Sequence, residues 1–176
     1  MANKGYILED ATTSRIVDAK MAQTPMGEIY FIGNATDTVI TTQSTFTKVT
    51  IVTTLNTNVQ FDSPSAGRLR YTGSVTRMFH LGCTFDVSSV TNNQVIKGVF
   101  YKNGGVNANS EFTSGTQLSA GTIQHKTGTG GDQISTAIHV MVELATNDYI
   151  ELGVLNDTST ADLKVIDMNI FAMGGY

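Results

Sequence analysis

The segment GRLRYTGSVTRMFHLGCTFDV, residues 67–87, holds the clearest alternation in the chain. After the Gly73-Ser74 break, Val75, Phe79, Leu81, Cys83, Phe85 and Val87 share one parity, while Thr76, His80, Thr84 and Asp86 share the other. That period of two predicts a strand with one face in a core. The opposite face is polar but also holds Met78 and Gly82, which fits a sheet covered on both sides better than one standing in water. Arg77, the one charge on the apolar parity, falls at the strand's beginning, where it can reach solvent.

Working outward, 176 residues fit one domain with an appendage and allow a self-sufficient core. Many Thr, Val, Ile, Gly and Asn residues, two prolines and no tryptophan favour short strands and tight turns over helices, so the chain reads as all-β. No heptad repeat supports a coiled-coil stalk. The single cysteine, Cys83, cannot close an internal disulfide and reads as a small core residue. A net charge of −4 gives no electrostatic footprint for nucleic acid or an anionic membrane. Residues 1–10 lack the basic start and apolar run of a secretory signal, so a soluble protein made in a cytoplasm is expected.

In chain order, Met1 to Gly27 reads as an N-terminal arm, with apolar residues Tyr6, Ile7, Leu8, Ile16, Val17 and Met21 in small clusters and charges that cancel. Ser14 could cap a short helix over Arg15 to Ala22. Such an arm either orders against another protein or wraps its own domain. From residue 28 to 176 strand patterns dominate: Ile29 to Ile32, Thr36 to Ile40, Phe46 to Val52, Val59 to Asp62, then the central segment and Val95 to Tyr101. Lys102-Asn103-Gly104 is a strong turn signal. Val106 to Gly131 reads as a long connection or a pair of weak edge strands. Ile134 to Leu144 and Tyr149 to Leu155, joined by four residues, read as a hairpin, and Leu163 to Met173 as the last strand.

Lys102-Asn103-Gly104, the later run Leu144-Ala145-Thr146-Asn147-Asp148-Tyr149-Ile150-Glu151-Leu152, and a closing strand through Asn169, Ile170 and Phe171 resemble the pattern of the tumour-necrosis-factor and complement globular-head superfamily. Gly27-Glu28-Ile29-Tyr30, Phe46-Thr47-Lys48-Val49 and Gly67 to Gly73 are similar to jelly rolls of bacteriophage and other viral structural proteins. The family usually has glycine where this chain has Asn147, and asparagine tolerates the same left-handed turn. The resemblance implies a single jelly-roll sandwich that forms a homotrimer, with the sheets of three subunits meeting around an axis through Met78, His80, Tyr149 and Phe171.

No catalytic residues, cofactor or metal site emerge. His80 and His139 fall on strand faces opposite the core and His125 lies in the loose region, so only a fold could join two of them. The glycine-rich Thr127 to Asp132 lacks a phosphate cradle's lysine, no Gly-x-Ser-x-Gly elbow occurs, and Asp148, Asp157 and Asp162 are not spaced as a calcium loop. The expected role is non-enzymatic: a virion structural protein decorating a capsid surface, with the arm gripping the major capsid protein. The alternative is a receptor-binding tip of a tail or head fibre, reading a host glycan or protein through Asn103 to Ser114 and Gln124 to Gln133. A genome-packaging coat protein would want a basic arm, and this one is neutral.

Overall fold

The computed structural model describes residues 8–10, 13–15, 24–129 and 131–174. Within that range there are two antiparallel sheets and a separate two-stranded ribbon. The ribbon pairs β1 (Leu8–Asp10) with β2 (Thr13–Arg15), so Ser14 and Arg15 are strand residues and do not begin a helix. The other arm residues singled out above, Tyr6, Ile7, Ile16, Val17 and Met21, lie outside the described residues.

The rest of the chain runs β3 (Met26–Phe31), β4 (Thr47–Lys48), β5 (Thr54–Val59), β6 (Phe61–Asp62), β7 (Arg68–Tyr71), β8 (Arg77–Ser89), β9 (Val95–Lys102), β10 (Thr116–Gln117), β11 (Ile123–Lys126), β12 (Gln133–Leu144), β13 (Tyr149–Asn156) and β14 (Leu163–Gly174). One sheet has the order β12-β8-β14-β3-β5. The other runs β10-β9-β13-β7-β6, with β11 also on β9 and β4 also on β13. Together they form a jelly-roll sandwich.

β8 is its centre. Phe79, Leu81, Cys83, Phe85 and Val87 are all buried, as their shared parity predicts, and they meet Ile96, Phe100, Ile150, Leu152 and Val154 from the other sheet in one core. Burial pushes the Cys83 thiol pKa upward, consistent with a packing residue. Phe79 also packs edge-on to Phe61 and Tyr71, with ring centroids 5.3 and 4.9 Å away, closing one end of the sandwich. Val75 does not join them, because residues 72–76 form the break between β7 and β8 and leave it 53% exposed.

Several boundaries differ from the sequence reading. The domain begins at β3, two residues inside the expected arm, with Met26 and Gly27 pairing with Met173 and Ala172. Thr36 to Ile40 is a loop with one bridge, Thr38 to Leu163, and only Thr47–Lys48 of Phe46 to Val52 is strand. Instead Thr54–Val59, a run too polar to read as a strand, forms the sheet edge. Gln60, at φ 61°, breaks the run that was expected to continue from Val59 to Asp62.

The expected hairpin of Ile134 to Leu144 with Tyr149 to Leu155 does not exist. β12 pairs with β8 in one sheet and β13 with β9, β7 and β4 in the other, so the four residues between them form an arch across the sandwich. Asn147 supplies the left-handed turn at φ 70°. Asp148 holds the arch: its carboxylate accepts from Asn103 Nδ2 at 2.7 Å, from Lys102 Nζ at 2.8 Å and from the Ala145 amide at 2.8 Å. Partial burial works against its charge, but these donors outweigh that and hold the carboxyl below its ordinary range.

A depressed folded pKa means that Asp148 stabilises the fold above its unfolded value and loses that contribution as pH falls through the lower folded one. The melting-temperature gap between wild type and Asp148→Asn should therefore be widest at neutral pH and shrink towards pH 3, as read by calorimetry. Phe79→Ala, which removes a ring from the aromatic cluster, should cost about 3–5 kcal/mol in denaturant unfolding.

Candidate subunit-contact face

The two outer faces of the sandwich differ in what covers them. Over the seven-stranded sheet the chain folds back on itself. The loop from Asn103 to Gly115 lays Phe112 flat on Tyr101, with centroids 3.8 Å apart, and Gly153 leaves the space that Phe112 fills. Beside it Glu151, fully buried, accepts from Lys48 Nζ at 2.6 Å and from Arg68 Nε at 2.8 Å. Arg68 in turn lies 3.7 Å over the Tyr149 ring. This cluster joins β4, β7 and β13 across one face.

The outer face of the five-stranded sheet has no such cover among the described residues. On it stand Met78 and His80 from β8, His139, Met141 and Glu143 from β12, Phe171 and Met173 from β14, and Glu28 from β3. Three of these are large apolar side chains in solvent: Met78 at 47%, Met141 at 57% and Met173 at 52% exposure. Their positions follow from register. Met141 and Met173 lie directly opposite His80 on either side, and His139 and Phe171 lie directly opposite Gly82. Gly82 is required there, because a Cβ would meet the Phe171 ring, which lies down over the strand. Alongside, a groove of about 290 Å³ runs between Met26, Glu28, Thr57 and Phe171. Glu28 forms its polar wall, accepting from Asn169 Nδ2 at 2.6 Å and from Asn56 Nδ2.

Of the four residues named for a trimer contact, Met78, His80 and Phe171 therefore share one face. Tyr149 does not: it stands on β13, on the outer side of the other sheet, beneath Arg68 and donating its hydroxyl to Gly104 O at 3.2 Å. The expected hairpin would have put Tyr149 beside β12, and the arch carries it to the opposite layer. Met141 and Met173 were missed, although both share parity with named neighbours, His139 and Phe171. The contact of His80 Nε2 with His139 Nδ1, at 3.1 Å, depends on a diagonal across β8 and β12 that only register can reveal. His125 is elsewhere, bonded to Thr136 Oγ1.

No group of three or more His, Cys, Asp or Glu side chains suited to a metal ion occurs among the described residues, and no helix among them is long and apolar enough to cross a membrane.

No protein-family model matches the chain, and no curated protein does. Solved structures do. The globular domain of zebrafish complement 1qA protein superposes with a TM-score of 0.54 at 9% identity, over 88% of this chain and 98% of that one. The fold is that of the complement globular head. Murine APRIL at pH 5.0 follows with a TM-score of 0.50 at 10% identity, covering 86% of this chain and 99% of its own. PRD1 vertex protein P5 gives 0.50 at 12% identity, covering 87% and 98%. At such identities a complement-head jelly roll shares backbone layout and not side-chain chemistry.

The buried cluster on the covered side yields a direct test of how far that layer depends on charge. Glu151→Gln leaves Lys48 and Arg68 without a carboxylate, and should cost about 3–5 kcal/mol in denaturant unfolding. Replacing Lys48 and Glu151 together with Met and Leu should recover most of that loss.

Proposed function

We propose that this chain is a structural protein of a virion: a jelly roll that assembles as a homotrimer and decorates the outside of a bacteriophage head, holding the major capsid protein through the arm that precedes β3. The observation that carries the reading is the uncovered five-stranded face, on which Met141 and Met173 flank His80, Met78 stands two residues before it and Phe171 reaches over Gly82 two residues after. A contiguous apolar patch of this kind marks an association surface. Ring closure by copies of one chain buries it on every subunit at once. The superfamily resemblance supplies the number three, and the vertex protein that shares the fold supports a place on a particle.

The role is mechanical. Three arms on one trimer multiply weak contacts with neighbouring shell subunits through effective concentration, so no single anchor needs to be strong. Leu8 sits in the β1–β2 ribbon, whose backbone pairing gives this part of the arm a defined shape to present. The fibre-tip alternative has less support. Asn103 to Ser114 is tied down by the Phe112 and Tyr101 stack and by the Thr113 amide bonded to Gly105 O at 2.8 Å, which leaves it little freedom to mould around a glycan.

Light scattering on the purified chain should give about 57 kDa, three times 18.9 kDa. Met141→Arg, which sets one cation per copy on the shared face, should shift that mass to a monomer while the strand signature in circular dichroism persists. Deleting residues 1–23 should leave a trimer that no longer binds capsids. A wild type that stays monomeric, or a truncated trimer that still decorates particles, would overturn the proposal.

A further inference from the structure

We propose that His80 and His139 form a bidentate site for a divalent transition-metal ion of the zinc class, on the same face of the five-stranded sheet. The two side chains come from adjacent strands, His80 opposite Met141 and His139 two residues further along β12 opposite Gly82. Their nitrogens, Nε2 of His80 and Nδ1 of His139, approach to 3.1 Å, and the ring planes are tilted by only 21°. An imidazole hydrogen bond of this kind places one proton between two nitrogens, one ring donating and the other accepting. A metal ion competes with protons for the lone pairs of these nitrogens, since metal binding and proton release are coupled at histidine.

The spacing suits a chelate. Two nitrogens, each about 2.05 Å from a common ion and 3.1 Å apart, subtend about 98° at that ion, between the octahedral and tetrahedral angles. In the hydrogen-bonded state the rings face one another, so each must turn about its Cβ–Cγ bond before the lone pairs converge. His139 is exposed and His80 half-buried, so both have room to turn. Phe171, lying over Gly82, presents its ring edge to both imidazoles at centroid distances of 5.8 and 6.4 Å and limits how far they swing apart. Soft and borderline ions prefer imidazole to the oxygen shells of magnesium or calcium. Because no third His, Cys, Asp or Glu converges with the pair among the described residues, water fills the remaining positions in a single copy. The inference does not need the copies to associate.

The test uses the full chain at pH 7.5, titrated by calorimetry with zinc chloride, with magnesium chloride in parallel. Zinc should bind at one ion per chain and magnesium should not bind. His80→Gln and His139→Gln should each weaken zinc by more than the roughly 10–100-fold that loss of an outer-shell partner costs. Lowering the pH to 5.5 should weaken wild-type binding because protons compete for the same nitrogens. As a readout that needs no variant, imidazole resonances of His80 and His139 should shift with zinc while those of His125 stay in place. Equal zinc binding by wild type and either variant, zinc shifts confined to His125, or no zinc binding at all would overturn the site. Light scattering on the same metal-free samples reports the oligomer separately, so failure of this site and failure of the trimer reading are distinguishable.

Discussion

The structure depends on one constraint: β8 must give every second side chain to a core shared by both sheets. Phe79, Leu81, Cys83, Phe85 and Val87 meet that demand, and a slip of a single residue would exchange them for Met78, His80, Gly82, Thr84 and Asp86. Register along β8 is therefore held tightly, and its neighbours β12 and β14 inherit it through pairing over almost their whole length. Everything on the outward parity is placed as a by-product. Three methionines, two histidines and a phenylalanine stand together because the residues behind them are not free to move.

The two outer surfaces then separate by how each is finished. Over the seven-stranded sheet a stacked ring pair, a buried carboxylate with two cations, and a loop cover the strands. The five-stranded side has no such cover among the described residues: Phe171 reaches over β8 into the space that Gly82 leaves, and Met78, Met141 and Met173 stand in solvent. The charged groups nearest the bare region, Glu28 and Glu143, are acids. Glu28 has its two oxygens bonded to asparagines, so its charge is spread locally.

What could be read in the sequence was whatever rests on alternation and turn chemistry. β8 and β12 were visible because their large apolar side chains recur at every second position, β13 because Ile150, Leu152 and Val154 do so, and Asn103 and Asn147 because asparagine tolerates the positive φ they adopt. Pairing was not visible. Four residues between two strands serve a hairpin or an arch equally well, and the choice here is made by Tyr71, whose amide and carbonyl bond Asp148 and Asn147 from a strand far back in the chain. That one misjudged connection moved Tyr149 to the wrong layer. Thr54–Val59 escaped because an edge strand with alternating exposed and half-buried positions needs almost no apolar residues. Thr36 to Ile40 misled for the opposite reason: β-prone side chains sit in a loop that makes one β-bridge, Thr38 to Leu163, and otherwise holds on through side chains such as Asp162 and Lys164. The candidate face was half legible. Parity placed Met78, His80 and Phe171 on it, but the order of strands in the sheet sent Tyr149 to the other layer and decided which side chains touch.

Cys83 adds a practical consequence. The chain's single sulfhydryl is sealed in the central strand and its ionisation suppressed, so the folded molecule meets an alkylating reagent as though it had no thiol. Labelling then waits for that strand to open, and its rate reads how often the whole sandwich comes apart. A cysteine introduced anywhere on the surface would, by the same token, be the one position a probe could reach.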